Sequence, residues 1–268
     1  MMDKLTTKTL LDYCDSDDCA LQTEALIQLV DAEVYEAVPK ILRLLKSAAE
    51  SIRADAAEAL GYLGAEEVET VGLALMPLLN DPEELVRSET VEALGELGYS
   101  PAVVPIEYIL RHDPSALVRA SAAETLGYLE EPSAIETLEL SLLDVDEDKA
   151  VRGYAANSIA LLGTPQLLPK LEEYLKLELP LSVKAELLGA RYWLGAKEDI
   201  EKLLSLLDNA DEHLATIILN ILTDLTEREE QPTLAKDAPD LERVLRAIAN
   251  RFPFTGNQPE KILAVAHS

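Results

Sequence analysis

Both cysteines of the chain fall in the stretch LDYCDSDDC (11–19), where Cys14 and Cys19 stand among Asp12, Asp15, Asp17 and Asp18. Thiols beside carboxylates raise the question of a metal or redox site. Neighbouring carboxylates raise a thiol's pKa and so withhold the reactive thiolate. His112, His213 and His267 are scattered with no metal-ligand spacing. A second candidate is an Asp six residues before an Arg: Asp81 and Arg87, Asp113 and Arg119, Asp146 and Arg152. An acid–base pair can move protons, but a catalytic pair need occur only once. A pair that recurs belongs to a structural ladder, with the Asp capping a helix start and the Arg one turn in. The sequence shows no Gly-rich phosphate loop and no nucleophile elbow. With 50 Asp and Glu, closely spaced carboxylates carry no information about acid–base work.

The elements that position these residues repeat. Five stretches align without gaps: IRADAAEALGYLG (52–64), VRSETVEALGELG (86–98), VRASAAETLGYLE (118–130), VRGYAANSIALLG (151–163) and VKAELLGARYWLG (183–195). Their basic residues Arg53, Arg87, Arg119, Arg152 and Lys184 are 34, 32, 33 and 32 residues apart. Apolar residues lie one before the basic position and three, four, seven and ten after it, which is one face of an α-helix. In the first stretch these are Ile52, Ala56, Ala57, Leu60 and Leu63. Gly64, Gly98, Gly163 and Gly195 are placed to close the helices in the left-handed conformation. An apolar helix precedes each stretch, with Pro39, Pro105 and Pro169 near three of the starts. The unit is a helical hairpin whose apolar face only a neighbouring hairpin can cover. Degenerate copies at 21–33, with Gln22 at the basic position, and at 214–226, with Ala215 there, bring the array to about seven hairpins. The expected division is a repeat array over 1–226 and a loop with a helical cap over 227–268.

Composition bounds the partners. The net charge is −27 and aromatics are 4% of the chain. That field repels phosphate backbones and anionic headgroups, so nucleic acid and membrane surfaces are poor partners, and a basic or cofactor-bearing protein suits it better. The start lacks the basic end and apolar core of a signal peptide, and no apolar run approaches a membrane span. Two cysteines cannot supply a disulfide framework. The expectation is a soluble, cytoplasmic protein of a reducing compartment.

The motifs DPEELVR, DPSALVR and DEDKAVR, each followed by a helix of the AAxALGxLG type, resemble the HEAT-like repeat of phycobilisome lyases over roughly residues 15–226. The resemblance implies an all-α, right-handed α-solenoid of about seven HEAT-like hairpins with a helical C-terminal cap. It implies second helices lining a concave side. It also brings bilin lyase subunits, which act in pairs, phycobilisome degradation factors and plain partner-binding proteins into view. The first function expected is a non-catalytic scaffold or adaptor with no cofactor. The alternative is a bilin lyase subunit or chromophore-handling chaperone of a phycobilisome-bearing, cyanobacterial type of organism. A weaker one is a helper in iron–sulfur cluster or cofactor delivery.

Positions two, five and nine after the basic residue point away from the apolar face. In order they are Asp55, Glu58, Tyr62; Glu89, Glu92, Glu96; Ser121, Glu124, Tyr128; Tyr154, Asn157, Leu161; and Glu186, Gly189, Trp193. The expected groove is acidic over its first half and more aromatic and apolar over its second, with Tyr154 and Trp193 solvent-facing. Exposed Tyr and Trp are enriched among interface anchors. FPFTGN (252–257) holds both phenylalanines and is read as a plug over the last hairpin. The repeat register places LDYCDSDDC at the first inter-helix turn, with Ser16 in the Asp position and Tyr13 in the core position of Leu44, Leu78 and Leu110. Both thiols are then incidental to a capping turn.

Overall fold

A computed structural model describes residues 6–228 and 234–266. The chain forms two compact units, residues 1–137 and 138–268. In the first, α1 (Thr7–Tyr13) pairs with α2 (Cys19–Asp31) and α3 (Val38–Leu44) with α4 (Glu50–Leu63). There too α5 (Val68–Leu75) pairs with α6 (Glu84–Glu96), and α7 (Val103–His112) with α8 (Ala116–Tyr128). The boundary falls within α9 (Ile135–Leu143), which precedes α10 (Lys149–Leu162). In the second unit α11 (Leu168–Leu175) pairs with α12 (Leu181–Trp193), and α13 (Asp199–Ser205) is followed by α14 (Glu212–Arg228). The short α15 (Leu234–Asp237), then α16 (Leu241–Arg251) and α17 (Gln258–Ala266), complete it. The described residues contain no strand, and none of their helices is long and apolar enough to cross a membrane. The fold is an all-α solenoid of stacked hairpins.

The second helices stack on one another, α2 on α4, α4 on α6 and α6 on α8, and in the second unit α10 on α12 and α12 on α14. Ile52, Ala56, Ala57, Leu60 and Leu63 are all buried, as the periodicity predicts. A second buried strip was not predicted. Ala54, Ala59 and Gly61 also lie inside, because each second helix is flanked by its neighbours. A Cβ on Gly61 would come within 3.0 Å of the Ala93 Cα, so small residues there set the close approach of α4 and α6. The solvent-facing strip is correspondingly narrow.

Helix ends differ in part from expectation. Gly98 and Gly195 have φ of 60° and 113°, and the following amides reach back to Leu94 O and Arg191 O. Gly64 and Gly163 remain at negative φ, at −82° and −84°. The same position carries Glu33 and Glu130 at φ of 52° and 56°. A Cβ in the left-handed region is disfavoured, so Glu130→Gly is expected to stabilise the protein by about 1 kcal/mol, read from the urea midpoint.

The C-terminal helices pack on α14, with Leu241, Leu245, Ile248 and Ile262 in one buried cluster with Leu222 and Leu225. Arg251 ties this cap down by donating to the carbonyls of Leu207, Asp208 and Ala210. Only half of the expected plug packs: Phe252 lies against the cluster, while Phe254 is 48% exposed.

Candidate functional site

The Asp–Arg contacts run between hairpins. The Arg53 guanidinium grips both Asp81 oxygens, each at 2.8 Å, and Arg87 grips Asp113 at 2.7 and 2.9 Å. Each Arg also donates to a backbone carbonyl six residues before itself: Arg53 to Ser47, Arg87 to Asp81 and Arg119 to Asp113. Gln22 does the same with Ser16 at 2.8 Å, so the degenerate first hairpin keeps the backbone rung without the charge. Asp81 and Asp113 accept the amides of Glu83 and Ser115, just ahead of α6 and α8. In the second unit the pattern changes. Arg152 donates to Leu142 O, the exposed Asp146 does not cap, and Asp148 caps α10 through the Ala150 amide. That hairpin's turn is longer, which moves the capping position nearer the helix.

The face predicted for binding divides between the units. In the first, Glu58, Glu92 and Glu96 are exposed, Asp55, Glu89 and Glu124 are half-buried, and Tyr62 and Tyr128 are each 53% exposed. Ser121 is an exception, buried between the Ser88 hydroxyl at 2.8 Å and Glu92 at 2.6 Å. A register rule explains these contacts. The residue one after the basic position meets the residue two after it in the next hairpin. Thr23 thus donates to Asp55 at 2.6 Å and Ser88 meets Ser121. In the second unit, a Cβ on Gly153 would lie 3.3 Å from Glu186. By that register Glu89 falls opposite Ala54, which offers no donor.

Burial, with Glu92, Glu58 and Asp55 adding repulsion, pushes the Glu89 carboxyl up to about 7. The folded chain therefore holds a proton that the unfolded chain loses between about 4.5 and 7. That contribution to stability is complete at low pH and is lost as pH rises through 7. Glu89→Gln is expected to gain on the order of 2 kcal/mol at pH 8 and almost nothing at pH 4, read by urea unfolding at both pH values.

In the second unit the groove expected to be open and aromatic is narrowed around Trp193. Trp193 is half-buried against the cluster beneath α14, and the Arg228 guanidinium lies 6.0 Å from its ring centre. Arg228 also donates to Asn157 Oδ1 at 3.1 Å and approaches Asp224 at 3.5 Å. Gly189 is buried, and a Cβ there would meet Ile221 at 2.5 Å. Glu186 and Leu161 are half-buried, and Tyr154 is 38% exposed. The α14 helix occupies the space because its hairpin stacks there, which offsets counted within one helix cannot show.

Periodicity also missed an ionic centre. Arg191 is 5% exposed and Asp199 fully buried, their Nε and Oδ2 2.5 Å apart. Glu172 and Lys202 complete the cluster, and Arg191 also donates to Leu168 O. The signal was a charge in a core position: Arg191 stands seven after Lys184, where other repeats have Leu60, Leu94, Leu126 and Ile159.

The thiols are unlike each other. Cys14 is buried and Cys19 exposed, and Tyr13, expected in the core, is only half-buried. Burial raises the Cys14 pKa, Lys40 opposing and Asp15 adding, so desolvation rather than the carboxylates is the main cause. Lys40 and Arg43 instead pair with Asp15. Among the described residues no group of His, Cys, Asp and Glu could hold a metal. His112 stacks on Tyr108, and His267 lies outside the described residues.

The family model for HEAT repeats matches residues 103–190. No curated protein matches the chain. Among solved structures, the complex of CpcE and CpcF of phycocyanin lyase from Nostoc sp. PCC7120 is 18% identical with a TM-score of 0.58. That match covers 99% of this chain and 95% of that one. The Escherichia coli protein YibA is 19% identical with a TM-score of 0.56, over 98% of this chain and 93% of its own. A Kap121p mutant is 17% identical with a TM-score of 0.54, over 89% of this chain but 29% of that one. At these identities the likeness is one of fold.

Proposed function

We propose, from the premise that this chain is a HEAT-repeat protein, that it is a non-catalytic adaptor whose acidic second-helix face in residues 1–137 binds a basic segment of a protein partner. One observation carries the reading. The exposed Glu58, Glu92 and Glu96 form no ion pair among the described residues, and two exposed tyrosines stand beside them. Asp15, Asp81 and Asp113, by contrast, are each paired with Lys or Arg. A face left with concentrated negative charge and amphipathic Tyr side chains suits cationic side chains with aliphatic stems. The phycocyanin lyase structure sharing this fold is a complex of two chains, which supports a protein as the partner.

The test is binding of a lysine-rich nonapeptide, followed by fluorescence anisotropy. Charge reversal by Glu92→Lys with Glu96→Lys is expected to weaken binding at least tenfold, and added salt to weaken binding to the parent chain. Binding that survives both changes overturns the reading.

A second reading, handling of a bilin, is supported by the fold shared with CpcE and CpcF along nearly the whole of both chains. Against it, the Arg228 guanidinium, 6.0 Å from the Trp193 ring centre and bonded to Asn157, puts a cation into the 154–193 region first expected to be apolar. Mixing with phycocyanobilin tests it: a shifted visible spectrum supports it, and an unchanged one removes it.

A further inference from the structure

We infer that the basic partner segment crosses the second helices of the first unit as a left-handed polyproline II helix, with a Lys or Arg at every third residue. The inference rests on the adaptor reading and adds the geometry of the partner. Glu58, Glu92 and Glu124 all stand five after the basic position, on α4, α6 and α8 in turn. They therefore form one row perpendicular to the helices, a single carboxylate per hairpin. The helices approach closely, since a Cβ on Gly61 would come within 3.0 Å of Ala93 Cα and one on Gly95 within 2.7 Å of Thr125.

Packed helices lie ~8–10 Å apart, and a polyproline II chain rises ~3.1 Å per residue with ~3 residues per turn, so every third side chain returns to the same face after one hairpin step, whereas a β-strand would alternate its side chains between faces. Two residues fall short of the step and four overshoot it. An α-helical partner fits worse: ~1.5 Å per residue puts one step at six or seven residues, and a three-carboxylate row needs nearly four turns. Tyr62 and Tyr128 flank the row's two ends, four residues beyond Glu58 and Glu124.

Three peptides of equal length with three lysines among serines and glycines test this: lysines every third residue, every second residue, and contiguous. The expected result is at least fivefold tighter binding of the first over both others. The preference should shrink to less than twofold with Glu92→Gln, which removes the middle step. Equal binding of all three overturns the spacing while the adaptor reading stands. Failure of all three to bind overturns both. Tightest binding of the contiguous peptide, with the preference kept in Glu92→Gln, also overturns the spacing.

Discussion

Asp199→Ala is expected to destabilise residues 138–268 by about 3–5 kcal/mol, the range for leaving one partner of a buried ion pair unmatched. Asp199 is fully buried and receives Arg191 Nε and Lys202 Nζ, each at 2.5 Å. Without it the 5%-exposed Arg191 keeps only the Leu168 carbonyl and the half-exposed Glu172. The cost is desolvation of a charge, not loss of attraction, and that distinction is testable. Arg191→Leu combined with Asp199→Leu should recover most of the loss, because Leu is the residue other repeats place at the Arg191 position. Urea unfolding of the parent, the single and the double variants decides it. A double variant as unstable as the single one shows that the ion pair itself, and not the stranded charge, carries the stability.

Arg87→Leu is expected to cost about 3–4 kcal/mol while leaving binding of a lysine-rich peptide intact in the folded protein. Arg87 is 9% exposed and makes four bonds, two to Asp113 and one each to Asp81 O and Pro82 O. Arg87→Lys should recover little, since an ammonium cannot fork across a carboxylate. The loss is also pH-dependent. Burial would raise the Asp113 pKa, yet the Arg87 fork and the Ser115 amide outweigh it and hold the carboxyl below its ordinary value. A depressed carboxyl stabilises above its unfolded pKa and stops doing so as pH falls through the folded one. The gap between parent and Arg87→Leu should therefore narrow in acid. Selective loss of peptide binding with unchanged stability is the outcome that would move Arg87 from the ladder to the binding face.

Much of this was legible because repetition averages out local ambiguity. A 32–34-residue spacing of five basic positions, with apolar offsets that fit only a helix, locates five second helices, and the degenerate copies at 21–33 and 214–226 bring them to seven. Asp81, Arg87 and Asp113 could be recognised as a ladder for the same reason. The offsets say less about the second buried strip. Ala54, Ala59 and Gly61 are small residues that fit a surface or an interface equally well, and only the neighbouring helix makes them interior.

The sequence by itself determined the repeat, the core face of each helix and the acidic strip at Glu58, Glu92 and Glu96. These follow from residue type and from distances along one helix, which the 3.6-residue turn converts directly into a face. The tertiary structure alone decided that Arg87 reaches Asp113 in the next hairpin, that Glu89 is half-buried near Glu92, Glu58 and Asp55, and that Arg228 lies over Trp193. Those depend on the register between stacked hairpins. One residue of shift would pair different side chains, and the chain carries no record of that shift apart from the packing of its small residues.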